Sequence, residues 1–189
     1  MCVALPGIIE KIEDSIASVN FSGNVVRAHT GVVDVKVGDR GPRAIISRTH
    51  PDFVRKMFET EVPEIFEGIV EIKSISREAG SRTKIAVESR DENVDAVGAC
   101  IGNRGMRISE IVNELHGEKI DVIEYSENVE KYIAAALSPA TVKSVTMVAE
   151  RSGRVVVDAD QLSLAIGKEG QNARLAAKLT GFKIDIKAR

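Results

Sequence analysis

Apolar and polar positions change rhythm along this chain. Over the first 40 residues they come in short runs broken by turn-forming residues. The runs are Ile8-Ile9-Glu10-Lys11-Ile12, Ile16-Ala17-Ser18-Val19-Asn20-Phe21, Val25-Val26-Arg27-Ala28 and Val32-Val33-Asp34-Val35, with turns at Ser22-Gly23-Asn24 and Gly38-Asp39. Alternation between such breaks predicts strands. Strands this short at this spacing predict a small β-barrel, which Ala44-Ile45-Ile46-Ser47 would complete. Past Arg48 the period lengthens. Phe53, Val54, Met57 and Phe58 fall on one helical stripe, expected to be core. Thr49 is placed to cap that helix, with Pro51 in its first turn. A second short helix begins within Glu61–Ile65.

The remainder repeats itself. Strands Ile69–Ile75 and Thr83–Glu88 flank a turn at Gly80-Ser81. Two helices flank Gly102–Gly105, with Ile108, Ile111, Val112 and Leu115 at helical spacing, and strand Ile120–Tyr125 closes the unit. The series then starts again: helix Val129–Leu137, strand Val142–Ala149, turn Ser152-Gly153, strand Val155–Val157, helix Leu162–Ile166, helix Gln171–Leu179, strand Phe182–Ile186. The order α-β-β-α-α-β therefore occurs twice. Asp95 and Asp160 each precede their loop glycine by seven residues, and Leu115-His116-Gly117 matches Leu179-Thr180-Gly181 one residue out of step. Two copies of one supersecondary unit account for this, with the missing residue assigned to the second helix.

The chemistry concentrates in Ile101-Gly102-Asn103-Arg104-Gly105 and Ile166-Gly167-Lys168-Glu169-Gly170. Glycine allows a sharp turn and close backbone approach, and the N-terminus of the next helix suits a phosphate. A lone Gly-x-x-Gly is usually an ordinary turn between helices. Two in matching context point to the helix–GxxG–helix clamp with which a KH domain holds about four nucleotides of single-stranded RNA. On that reading Arg104 and Arg107 reach phosphates from the first loop, as do Lys168 and Arg174 from the second. Asn103 and Asn172 bond phosphate or base edges. Glu169 opposes phosphate affinity, and either neutralises Lys168 or caps the helix. Ile101 and Ile166 line the groove floor or pack onto the sheet. Cys100 is expected to be a small buried apolar residue.

Composition narrows the alternatives. A chain of 189 residues, 43% hydrophobic, suits one to three small domains. It has no apolar run of membrane-spanning length and no signal peptide, so it reads as cytoplasmic with no membrane partner; a monomer is also expected. Aromatics make up 4% and Trp is absent, which argues against base-stacking platforms. The net charge of −2 is uneven: residues 127–189 hold ten Lys and Arg against seven Asp and Glu. Any salt-sensitive attraction for RNA therefore leans on the second copy. Cys2 and Cys100 give neither disulfide framework nor zinc spacing. Enzyme motifs fail: Gly167-Lys168 would end a phosphate-binding P-loop, but Leu162 and Glu169 stand where Gly and Ser/Thr are required. No catalytic residue, no cofactor and no metal site are expected, with Cys2 as the one weak metal candidate.

Several of these pieces carry a resemblance. They are Ser47-Arg48-Thr49-His50-Pro51, Glu61–Ile65, Val97–Gly105, Leu137-Ser138-Pro139-Ala140 and Leu164–Ala176. Residues 42–189 resemble the tandem KH region of the NusA family of bacterial transcription elongation and termination factors. The resemblance implies two KH units of the type II (prokaryotic) arrangement forming one rigid body. That body would bind single-stranded RNA near RNA polymerase and tune pausing, termination and antitermination. The family's polymerase-binding N-terminal domain finds no counterpart here, so polymerase is carried only as a candidate partner. Met1-Cys2-Val3-Ala4-Leu5-Pro6-Gly7 and Val35-Lys36-Val37-Gly38-Asp39 instead resemble the N-terminus of HypC-type hydrogenase maturation chaperones, in which the exposed cysteine helps carry iron. Two resemblances meeting near Asp39–Pro42 imply a splice, by engineering or recombination. The expected architecture is α+β: an OB-like β-barrel (1–47), a linker helix (48–60), a first KH domain (61–126) and a second (127–189).

Overall fold

The structure, a computed structural model, describes the backbone of residues 8–13, 16–21, 24–29, 31–38 and 41–189, and the side chains from Ser47 onward. Cys2 and the Met1–Gly7 motif lie outside the described residues. Contacts divide the chain into two compact units, Met1–Lys56 and Met57–Arg189.

In the first unit, β1 (Ile8–Glu13), β2 (Ile16–Phe21) and β3 (Asn24–His29) form an antiparallel sheet, and β4 (Gly31–Gly38) pairs with β5 (Gly41–Ser47). Each strand falls where the alternating runs place it. Helix α1 (Pro51–Glu61) begins with a cap different from the expected one. Thr49 does not cap it: Ser47 Oγ accepts from the Thr49 and His50 amides, and His50 Nδ1 accepts from the Asp52 amide at 3.2 Å. Phe53, Val54 and Phe58 are buried, as a core stripe requires.

In the second unit the α-β-β-α-α-β order stands twice. The first copy comprises α2 (Pro63–Phe66), β6 (Val70–Glu78), β7 (Arg82–Ser89), α3 (Ala96–Ile101), α4 (Met106–Glu114) and β8 (Lys119–Glu124). The second comprises α5 (Val129–Ala136), β9 (Val142–Ala149), β10 (Ser152–Val157), α6 (Leu162–Ile166), α7 (Gln171–Thr180) and β11 (Lys183–Ala188). Each sheet has three strands, antiparallel at the hairpin and parallel where the last strand returns. Asp95 caps α3 through the Val97 amide and Asn128 caps α5 through the Lys131 amide, as the N-cap preference predicts.

The copies differ in two informative places. Gly153 was expected in a turn but lies inside β10, buried. A Cβ there would stand 3.1 Å from Ile133 Cδ1, so the glycine lets α5 approach the sheet. The one-residue offset sits after the helix rather than within it, since His116 adopts φ 57° beyond α4 whereas α7 stops directly at Gly181.

One core runs through both copies. Helix α7 lies on β6 and β7 of the first sheet, and α5 meets β8. Ala86 and Ile123 thereby join a cluster with Ile133, Leu137, Val155 and Leu179. Covered on both faces, β7 is buried continuously from Thr83 to Val87 rather than alternately. Lys84 in that run is 0% exposed; its Nζ donates to Asp121 Oδ2 (2.8 Å) and to the Ser138 carbonyl of the second copy (2.6 Å). Burial lowers the Lys84 pKa against the pull of Asp121. Glu118, equally buried, accepts from Arg77 Nε and Nη2 (both 2.9 Å), Thr83 Oγ1 (2.6 Å) and the Gly80 amide (2.7 Å). Burial works to raise its pKa, yet these donors outweigh it and hold the carboxyl below its ordinary value.

Candidate nucleic-acid interface

The two GxxG segments have the same backbone. Gly102 and Gly167 take φ/ψ of 74°/173° and 77°/172°, a region open essentially to glycine alone. Arg104 and Glu169 take 52°/28° and 52°/27°, and Gly105 and Gly170 take 76°/15° and 75°/14°, all left-handed. Space as well as conformation requires the first glycine. A Cβ on Gly167 would stand 2.7 Å from the Asn172 backbone nitrogen, and one on Gly102 would stand 2.7 Å from Arg107 Cγ. Each loop closes with the second glycine's amide donating to the first glycine's carbonyl at 3.1 Å.

This turn throws the intervening pair outward. Asn103, Arg104, Lys168 and Glu169 are all exposed, and Arg104 and Lys168 form no ion pair with described residues. The apolar residue before each loop is also open, Ile101 at 36% and Ile166 at 39%, and Met106 beside the first loop reaches 65%. Helices α3 and α6 pack on β8 and β11, which stand at the margins of their sheets. A nucleotide chain lying there would meet outward side chains, an apolar floor and the hydrogen-bonding groups of a strand edge. The loops differ in charge: Arg104 acts with a neutral Asn103, whereas Glu169 offsets Lys168.

Three of the expected contact residues are engaged in bonds within the protein. Asn172 is 2% exposed, with its amide donating to the Leu137 and Ala165 carbonyls (3.0 Å each), so it cannot reach a phosphate or base edge. Arg107 Nη1 donates to the Ala99 carbonyl (2.7 Å) and to Glu64 Oε2 (2.9 Å), while its stem fills the space a Gly102 Cβ would need. Arg174 pairs with Glu78, Nε to Oε1 at 2.7 Å and Nη2 to Oε2 at 3.2 Å, and its Nη1 donates to the Glu169 carbonyl at 3.0 Å. Cys100 is buried as expected, and burial, with Glu64 nearby, pushes its thiol pKa up to about 12.

Sequence reasoning missed the acidic partners of these cations. Glu64 lies 43 residues from Arg107 and Glu78 lies 96 from Arg174, so no local periodicity joins them. Among the described residues no group of three or more His, Cys, Asp or Glu could hold a metal ion, and no helix is long and apolar enough to cross a membrane.

Comparison with known proteins agrees with this geometry. Residues 48–125 match the NusA-like first KH domain, and residues 129–189 match the NusA-like second KH domain. The transcription termination/antitermination protein NusA of Halalkalibacterium halodurans is 54% identical over 158 residues, 83% of this chain and 41% of that protein. The NusA of Mycobacterium tuberculosis is 51% identical over 186 residues, 97% of this chain and 53% of the relative. This chain thus spans about half the length of the curated relatives it matches. Among solved structures, that of APE1850 superposes with a TM-score of 0.52 at 26% identity, covering 71% of this chain and 95% of its own. Two GxxG loops of one backbone geometry, one inside each of the two family matches, go with those matches in making residues 48–189 the tandem KH pair of the NusA family.

Proposed function

We propose that this KH pair binds single-stranded RNA as part of a NusA-type factor acting in transcription elongation, termination and antitermination. The observation that carries the proposal is the twinned loop. Both copies spend left-handed conformations on a non-glycine residue, Arg104 and Glu169, in order to expose a side-chain pair beside an open apolar position and a sheet margin. Strain of this kind supports a functional reading when the same outlier recurs in the same place. Of the expected contacts, Ile101, Asn103, Arg104, Ile166 and Lys168 are positioned to touch RNA, with Glu169 tempering the second loop. The glycines shape the loops, and Arg107, Asn172 and Arg174 support them. The chemistry needs no cofactor, and RNA polymerase is the candidate partner that the NusA resemblance implies.

The test is a fluorescence titration of labelled single-stranded RNA at two salt concentrations. Binding that weakens with salt is the expected result. Changing Asn103, Arg104, Lys168 and Glu169 together to Asp should abolish it, and unchanged affinity would falsify the clamp.

For the N-terminal unit we propose a small OB-like barrel built from β1–β5. Alignment over 97% of the chain favours a continuous NusA-type segment. The alternative, a HypC-like start spliced near Asp39–Pro42, rests on the motifs at residues 1–7 and 35–39. It requires iron retained by the purified protein and lost on Cys2→Ala. A cytoplasmic monomer completes the proposal, with sedimentation as its check.

A further inference from the structure

Arg174 follows the second loop and was read from sequence as a phosphate ligand, yet its guanidinium is committed on three sides. It donates through Nε and Nη2 to the two carboxylate oxygens of Glu78 (2.7 and 3.2 Å) and through Nη1 to the carbonyl of Glu169 (3.0 Å), the left-handed residue of the loop. Glu78 belongs to the other KH unit, at the end of β6. Its Oε2 also accepts from Gln171 Nε2 (2.8 Å), which donates in turn to Ser81 Oγ (2.7 Å). The hairpin of the first unit therefore holds the first turn of α7 at two side chains and, through Arg174, the loop backbone itself. The first loop is braced differently: Arg107 ties the Ala99 carbonyl to Glu64, both within its own unit. Among the described residues, only the second loop is braced from the neighbouring KH unit.

We propose that Glu78 is a positioning residue for the second GxxG loop, acting through Arg174 on the Glu169 carbonyl, so that the first KH unit sets the RNA grip of the second. This rests on the RNA-binding reading above. Bidentate charge-assisted pairing gives the brace its geometric definition, and the fixed carbonyl keeps Lys168 and Glu169 aimed outward. Arg174 then contributes shape and not a phosphate contact.

The two roles for Arg174 predict opposite signs for one substitution. In the full chain, Glu78→Gln removes a negative charge and releases the guanidinium. If Arg174 were a phosphate ligand in waiting, RNA affinity would rise. If it is a brace, affinity falls, by about fivefold for a coupling of this kind, with an unchanged slope of log affinity against log salt. The probe is a fluorescein-labelled 12-nucleotide single-stranded RNA of mixed sequence, followed by anisotropy, alongside amide NMR spectra of the free proteins. In the spectra, Lys168–Gln171 should shift in the variant while Asn103–Gly105 stay in place. Tighter binding, unchanged binding, or second-loop amides that keep their wild-type positions would each overturn the proposal. Wild-type protein that binds no RNA defeats the RNA-binding reading instead, and the amide shifts then decide the brace on their own.

Discussion

Four glycines at equivalent loop positions should tolerate alanine very unequally, and the structure sets the order. At Gly170 (φ 75°, ψ 14°) a Cβ meets only Arg174 Nη1 at 3.9 Å, and at Gly105 it meets nothing within 4 Å. The penalty there is the left-handed backbone alone, about 1–2 kcal/mol. At Gly167 (φ 77°, ψ 172°) the backbone lies in territory that costs alanine on the order of 1–3 kcal/mol. The added methyl also stands 2.7 Å from the Asn172 nitrogen and 2.8 Å from its Cβ. That nitrogen is main chain at the start of α7, so it can yield only by shifting the helix, an overpacking cost of about 1–3 kcal/mol more. Gly102→Ala should fall between, because its neighbour at 2.7 Å is the side chain of Arg107, which can swing away at the expense of its bonds to Ala99 and Glu64. Urea unfolding of the full chain, followed through amide resonances of α4 and α7, gives each loss from the midpoint at constant slope. Equal losses for Gly167→Ala and Gly170→Ala would refute the reasoning, since the two positions share φ and differ only in ψ and in what a methyl would strike.

Glu118→Ala should cost roughly 3–5 kcal/mol by breaking the buried pair of Glu118 with Arg77 and removing the acceptor of Thr83 and the Gly80 amide, measurable as a drop in urea midpoint. The Glu118 carboxyl sits below its ordinary value, so its contribution is complete above about pH 4.3 and is lost as pH falls through the folded value. Glu118→Gln should accordingly flatten the acid limb of the stability curve, and an unaltered limb would count against the pairing. In a Cys2→Ser background, Cys100 should resist iodoacetamide at pH 8 until urea unfolds the second unit, because a thiol with a pKa near 12 offers almost no thiolate. Labelling at the speed of a free cysteine would contradict its burial. Arg104→Ala should weaken RNA binding and lower the salt slope by about one unit, whereas Asn172→Ala should destabilise the fold and leave the slope alone. Removing the Asn128 cap with alanine should cost about 1 kcal/mol of thermal or urea stability.

Local chemistry made much of this legible in advance. Strand Val142–Ala149 and helix Leu162–Ile166 occupy the residues their periodicity marks, and the glycine pairs announce both tight turns between helices. What sequence could not supply was partnership at a distance. Asn172, next to a GxxG, has the donor chemistry of a phosphate ligand, and its bonds to the carbonyls of Ala165 and of Leu137, 35 residues upstream, reveal that its amide is spent inside the fold. Lys84 lies in the strand the sequence marks as Thr83–Glu88, and nothing local says that it is covered. It is buried because a second unit covers the sheet face it points from. Ser152-Gly153 read as a turn because a small glycine serves both a bend and a close helix approach, and the identity of Ile133 above it decides between them.

That covered sheet face makes the two copies inseparable as material. A cut in the short stretch between Tyr125 and Val129 would hand water a lysine that keeps Asp121 but loses the Ser138 carbonyl, together with Ala86 and Ile123 stripped of their lid. A lone first copy prepared by truncation should therefore be sticky and prone to clumping, and the smallest piece worth expressing carries both.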